Sequence, residues 1–293
     1  LMLKPDLTVK GDLARDWTVA DGGTTLTFTL REGVKFHNGD EFTAEDVRYT
    51  IDYTISQETV SASKLSGLEP VDDGGVNVLG DYEVEINLTE ALAPILVYLT
   101  RGPGRAAAVL NQRAMEEMGD AYMTEPVGTG PFVVAEHSVG NTLTLDRFDD
   151  YFKTDENGTQ LPYLDGVDVS FIPESSTLLN ALRAGDVDFT NHIPAQNSSR
   201  IESSNQTNLL SAPGANWYGI GFNFDREPFQ SHDARLGLAK LIDNEALVRT
   251  AFFGKAMPAR GPFNKATRWV WRDDKPDDQA YAPDEGMQLL EDA

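Results

Sequence analysis

LARDWTVADGGTTLTFTLREGVKFHNGDEFTAEDV, residues 13–47, carries a strand, two turns and a helix start in one unbroken run. Residues Thr25–Leu30 alternate strictly, with Leu26, Phe28 and Leu30 on one face and Thr25, Thr27 and Thr29 on the other. A period of two marks a half-buried strand, because successive side chains leave a pleated backbone on opposite sides. Asp21, Gly22 and Gly23 ahead of it tolerate positive φ and predict a turn. Asn38-Gly39 is a second turn signal. Thr43 then opens a helix: its side chain suits a free backbone N–H, and the Glu45 and Asp46 carboxylates suit the positive end of the helix dipole.

Outward from this run, the pattern predicts a helix over 44–55 and a second alternating strand over 82–88. Tyr82, Val84, Ile86 and Leu88 face one side there, and Glu83, Glu85 and Asn87 the other. Asp72-Asp73-Gly74-Gly75 and Leu79-Gly80-Asp81 bracket a further strand, which makes an antiparallel meander. Residues 91–100 and 113–118 read as helices, and 131–136, 142–147 and 167–172 as strands. Ser175-Ser176-Thr177 starts a helix that Gly185 ends, and Asp186-Val187-Asp188-Phe189 follows as a short strand. Residues 216–224, NWYGIGFNF, read as an aromatic-rich strand, and 283–290 as a helix.

Composition narrows the function. The 293 residues suffice for one large domain or two ordinary ones, and 40% hydrophobic content supports a core. No stretch reaches the 18 or so apolar residues of a membrane helix. The opening LMLKPDL has neither a basic n-region nor an apolar h-region, so no signal peptide is legible. Zero cysteines removes disulfides, thiolate chemistry and cysteine metal sites together. Asp plus Glu number 47 against 24 Lys plus Arg, a formal charge of −23, which repels phosphate backbones and anionic lipid surfaces. Such a Lys-poor acidic surface fits a high-salt environment and fits an ordinary acidic exported protein equally.

Catalytic chemistry finds little anchor. His37, His137, His192 and His232 are scattered, with no HExxH and no i,i+4 pair. No G-x-S-x-G elbow occurs. Glu116-Glu117, Asp149-Asp150 and Asp273-Asp274 are adjacent in sequence and read as solvated faces. The GTG of residues 128–130 lacks the following Lys-Ser/Thr of a phosphate loop and reads as a tight entry into a strand. The better candidates are aromatic. Trp217 and Tyr218, as strand neighbours, point to opposite faces, so at most one shares a ligand side with Asn216. Flat rings with a polar handle suit peptide or sugar ligands, while core packing competes for Trp217, Phe222 and Phe224.

The opening run also resembles the N-terminal signature of the peptide, dipeptide and nickel class of ABC-transporter solute-binding proteins, family 5, "LA.SW.VSDDG.TYTF.LR.GVKFHDGTP.TAEDV". Leu13, Ala14, Trp17, Asp21, Gly22, Phe28, Leu30, Arg31 and the stretch from Gly33 through His37 fall on it, as do Gly39, Thr43, Ala44, Glu45, Asp46 and Val47. Further matches are Gly128 to Phe132 on "GTGPF", Asp150-Tyr151-Phe152 on "DYW", and residues 161–165 on "PYLD". Residues 175–188 match "ASTRLAALQAGEVDV", and residues 254–262 match "G.G.PA.GP". Residues 234–248 resemble the family helix "RVRQAL..AIDRE.LV", departing at Gly237 and Lys240.

The resemblance implies an α/β, periplasmic-binding-protein-like two-lobe fold of class II type with an extra small lobe. The lobes would span 1–126 (small, mixed α/β), 127–225 (part of the main lobe) and 226–293 (start of the second lobe). Against the family pattern, an opening strand and most of the second lobe are missing, so the chain reads as a fragment. The implied function is peptide capture for an ABC importer by hinge closure, without catalysis, cofactor or metal, as a monomer that meets permease subunits and no nucleic acid. Its implied place is periplasmic or extracellular, including a lipoprotein anchor. Nickel chelates and oligosaccharides are the rivals within the class, and a secreted carboxylate-dependent hydrolase the rival outside it. A regulator version of the fold lacks its helix-turn-helix here. The family strand at 216–224 lines the cleft, which singles out Asn216, Trp217, Tyr218 and Asn223 as ligand-binding.

Overall fold

A computed structural model of the chain describes residues 1–100, 106, 108–191, 193–212, 214, 216–259, 261, 263, 271–272 and 277–293. Two compact units appear, Leu1–Phe171 and Ile172–Ala293. Among the described residues no helix is long and apolar enough to cross a membrane.

The first unit opens with the short pair β1 (Met2–Leu3) and β2 (Val9–Lys10). β3 (Ala14–Ala20), β4 (Thr25–Leu30), β5 (Val76–Gly80) and β6 (Glu83–Asn87) then form a four-stranded antiparallel sheet in the order β3-β4-β6-β5. Alternation decides the register: Leu26 lies opposite Ile86 and Phe28 opposite Val84. All four are almost fully buried, with Leu30 and Leu88 beside them. Each contributes about 1.5–3 kcal/mol of apolar burial. The turn between β3 and β4 needs glycine, since Gly22 and Gly23 sit at φ 69° and 105°.

Helix α1 (Ala44–Ser56) packs across β5 and β6. Phe36 and Phe42, on either side of the Asn38-Gly39 turn, are wholly buried and meet edge to face at 6.2 Å. Two shorter helices follow, α2 (Ile95–Tyr98) and α3 (Gln112–Met118). The helix expected over 91–100 is thus cut to four residues. Pro94 is the reason: it has no N–H to donate and its ring clashes with a preceding turn, so the helix starts after it. The unit closes with a three-stranded antiparallel meander of β7 (Phe132–Ser138), β8 (Thr142–Arg147) and β9 (Gly166–Ser170).

Among its described residues the second unit is helical: α4 (Ser175–Ala184), α5 (Ser198–Glu202), α6 (His232–Lys240), α7 (Asn244–Thr250) and α8 (Pro283–Asp292). Gly185 ends α4 at φ 82°, as its sequence position predicts. The helix also starts at Ser175, as expected. Glu174, not a serine, caps α4, its carboxylate accepting from the Thr177 N–H at 2.8 Å. Residues 186–189 and 216–224, both expected as strands, lie in no strand. Alternation specifies a face, but an extended segment becomes a strand only when a neighbouring backbone accepts its ladder. Phe189 is accordingly exposed.

The two departures from the family helix pattern both face α8. A Cβ on Gly237 would sit 2.8 Å from the Gly286 carbonyl oxygen, and one on Gly286 would sit 2.8 Å from that of Gly237. The missing side chains therefore let the two backbones touch. Lys240 runs along the same crossing and pairs with Glu285 at 3.1 Å.

Two stability predictions follow from this packing. Phe36→Ala lowers the unfolding free energy in urea by about 3–5 kcal/mol, the range for emptying a buried aromatic site. Gly237→Ala, worth up to about 1 kcal/mol in favour of an isolated helix, lowers the thermal midpoint here, because the added methyl meets α8 backbone. A raised midpoint contradicts the crossing.

Candidate functional site

Residues 216–224 of the second unit form an exposed aromatic segment. Trp217 is 56% exposed, Tyr218 82%, Ile220 68% and Phe224 62%. Asn216 and Asn223 are also exposed. The Trp217 indole folds back over Gly219, where a Cβ would lie 2.2 Å from a ring carbon, so only glycine fits beneath it. Tyr218 leans on Phe252 with ring centroids 5.3 Å apart, and Phe222 on Phe229 at 5.2 Å.

Arg235, from α6, holds the far end of the segment. Its guanidinium lies over the Phe224 ring at 4.5 Å, and Nη1 donates to the carbonyls of Phe229 at 2.5 Å and Gln230 at 3.0 Å. A cation held over a ring face while donating to carbonyls fixes both the ring and the loop. The Asn223 Oδ1 accepts from the Asp225 N–H at 2.9 Å, which turns the chain there. All four sequence-predicted site residues thus share one exposed stretch. The strand that the opposite-face relation of Trp217 and Tyr218 presupposed is absent from residues 216–224.

In the first unit a polar cluster gathers around residues 37–46, and sequence reasoning had not assembled it. The Asp46 carboxylate accepts from the Thr43 N–H at 2.9 Å and from the Gln112 N–H at 3.4 Å, so it caps the starts of α1 and α3 together. Burial pushes its carboxyl above the usual aspartate value, with the amide hydrogen bonds opposing. The Asn111 side chain accepts from the Ala114 N–H at 2.7 Å and donates to Asp40, which also pairs with Arg113. Tyr122 accepts from the Asn111 N–H at 3.3 Å and donates to the Val127 carbonyl at 2.5 Å. The shallow hollow beside this cluster, about 370 Å³, is lined by Asp40, Glu41, Thr43, Asp46, Asn111, Gln112, Arg113 and Glu116. Its buried groups are bonded to one another, and its role is to join helix starts to a loop. The Thr43-to-Asp46 spacing of a capping box was the one sequence signal for it.

His37 belongs to the same cluster as a scaffold residue. Its Nε2 lies 3.1 Å from the Gly130 carbonyl, which can only accept, so Nε2 carries the proton. Nδ1 accepts from the Gly128 N–H at 3.3 Å. Of the other histidines, His137 bonds the Thr124 carbonyl at 3.2 Å and His232 pairs with Asp233 at 3.3 Å. His192, Asp273 and Asp274 lie outside the described residues, as do Arg260 and Pro262 of the 254–262 motif. Among the described residues no three His, Cys, Asp or Glu side chains gather to hold a metal.

Comparison with known proteins adds identity to this geometry. The model of the bacterial extracellular solute-binding proteins, family 5, middle region, matches residues 8–293. Glutathione-binding protein GsiB of Salmonella paratyphi A is 27% identical over 267 residues, covering 88% of this chain and 48% of its own. The oligopeptide-binding protein AppA of Bacillus subtilis, solved with a nonapeptide, superposes with a TM-score of 0.74 at 27% identity, over 99% of this chain and 56% of its own. NikA of Brucella suis, solved with Fe(III)-EDTA, shares the fold with a TM-score of 0.81 at 24% identity, over 99% and 57%. The chain spans about half the length of the curated relatives it matches.

The doubly used Asp46 yields a prediction. Asp46→Asn turns one acceptor oxygen into a donor facing an amide N–H and lowers stability at pH 7 by about 1–3 kcal/mol in urea unfolding. An unchanged midpoint contradicts the shared cap.

Proposed function

The chain belongs to the bacterial extracellular solute-binding proteins of family 5, and from that premise we propose that it captures peptides for an ABC importer. In this reading two lobes close around the ligand at a hinge. The closed form is favoured because the ligand touches both lobes, and it then docks on permease subunits. The lobes are those read from the sequence: a small lobe over 1–126, a main lobe over 127–225 and the start of a second lobe over 226–293. The protein acts as a monomer in the periplasm or outside the cell, free or lipid-anchored, and does no chemistry on its cargo.

The observation that carries this reading is the exposed segment of residues 216–224. Trp217 and Tyr218 offer flat apolar surface with a polar handle, and the Asn216 and Asn223 amides suit peptide groups. The backbone there belongs to no strand, so an extended ligand can align with it strand-fashion. Peptide is favoured over nickel chelate or oligosaccharide because the relatives at 27% identity are named for glutathione and an oligopeptide.

Native mass spectrometry of the full-length protein from its host tests the class. A co-purified peptide is the predicted result, and a metal-only adduct overturns the peptide assignment. Turnover of peptide or glycoside by the same preparation favours the hydrolase instead. Within the peptide reading, Trp217→Ala raises the calorimetric Kd about tenfold, roughly 1–2 kcal/mol, with the fold intact by circular dichroism.

A further inference from the structure

We propose that His37 is a pH-operated latch, fastening residues 126–130 to the 36–40 turn while its ring is neutral and releasing the Gly128 amide when the ring is protonated. The geometry is two-sided. Phe36 and Gly39 close the turn, the Phe36 N–H bonding the Asp40 carbonyl at 2.8 Å and the Gly39 N–H the Phe36 carbonyl at 2.9 Å. From that turn the His37 N–H donates to the Gly128 carbonyl at 2.9 Å. Its ring receives the Gly128 N–H on Nδ1 and reaches the Gly130 carbonyl with Nε2. Phe148 closes one side, edge to face, with centroids 5.0 Å apart. Gly128 and Gly130 both run against the ring, where a Cβ would lie within about 4 Å of it.

Protonation changes one thing. Nδ1 gains a hydrogen and stops accepting, so it meets the Gly128 N–H donor to donor. The latch thus lets go of the Gly128 amide on protonation. Residues 126–130 lead into β7, so the release loosens the entry of the three-stranded sheet.

Burial holds the His37 ring below the ordinary histidine value, opposed by its bonds to the Gly130 and Pro126 carbonyls. The charged groups on the surrounding elements are engaged with one another. Lys35 pairs with Asp150 at 2.8 Å and Arg147 with Asp149 at 3.2 Å, while Asp40 takes Asn38, Asn111 and Arg113. Because the folded value lies below the unfolded one, the latch contributes fully above about pH 6.5 and is lost as pH falls beneath it. Asp46, shifted upward by burial, acts in the opposite sense, so overall stability blurs the effect and a local readout is required.

Two measurements on the full chain provide that readout. Ring nitrogen shifts should show the Nε2–H tautomer at pH 7.5 with protonation below the ordinary range, and an Nδ1–H tautomer or a charged ring at pH 7 overturns the latch. Amide exchange, corrected for the intrinsic pH dependence, should show Gly128 losing roughly tenfold protection between pH 7.5 and 5, while the Ile86 amide in the central sheet keeps its own. Equal protection at both pH values overturns the proposal, as does equal loss at Gly128 and Ile86. His37→Gln offers an amide oxygen to Gly128 and an amide N–H to Gly130 without titrating, so Gly128 protection should no longer respond to pH. The same response in that variant also overturns it, and the measurements on the unaltered chain decide the matter if the variant does not fold.

Discussion

One buried carboxylate shared between two helix starts organises the first unit. Asp46 accepts from Thr43 at the start of α1 and from Gln112 at the start of α3, so neither helix can shift without exposing an unbonded amide. Around it the polar side of residues 31–46 repeats the device on other segments. Asp40 takes Asn111 and Arg113, His37 takes Gly128 and Gly130, and Lys35 takes Asp150. Arg31 reaches the Phe152 ring at 5.9 Å and donates to the Asp12 carbonyl at 2.6 Å. The apolar side of the same run, from Leu26 to Phe42, fills the core. One short stretch therefore packs inward with its hydrophobic residues and ties down residues 111–152 with its polar ones.

This double use explains the family signature physically. Gly22, Gly33 and Gly39 supply the positive φ that the turns require, Phe36 and Phe42 lock the turn between them, and His37 and Asp46 reach distant amides. The "GTGPF" and "DYW" motifs are the receiving ends of the same bonds, since Gly128, Gly130, Asp150 and Phe152 are among the partners. These residues hold the scaffold of the first unit together.

Legibility in the sequence followed how local the causes were. The Thr25–Leu30 and 82–88 alternations and the glycine after α4 each act within a few residues, and each appears as read. The second donor to Asp46 comes from 66 residues away and leaves no mark near it. Residues 186–189 and 216–224 carry a strand-like pattern, yet strand formation depends on a partner backbone rather than on their own residues. In the candidate site, the four residues were legible as an aromatic-amide group. The folding of Trp217 onto Gly219 and the grip of Arg235 on Phe224 were not, since both are contacts made in three dimensions.

The division between a scaffold run and a ligand-facing segment is the central claim, and hydrogen–deuterium exchange on the full-length protein tests it directly. Saturating peptide is predicted to slow exchange across residues 216–223 while leaving residues 13–47 unchanged. Slowed exchange confined to residues 13–47 and their partners at 111–152, with none at 216–223, would contradict the account.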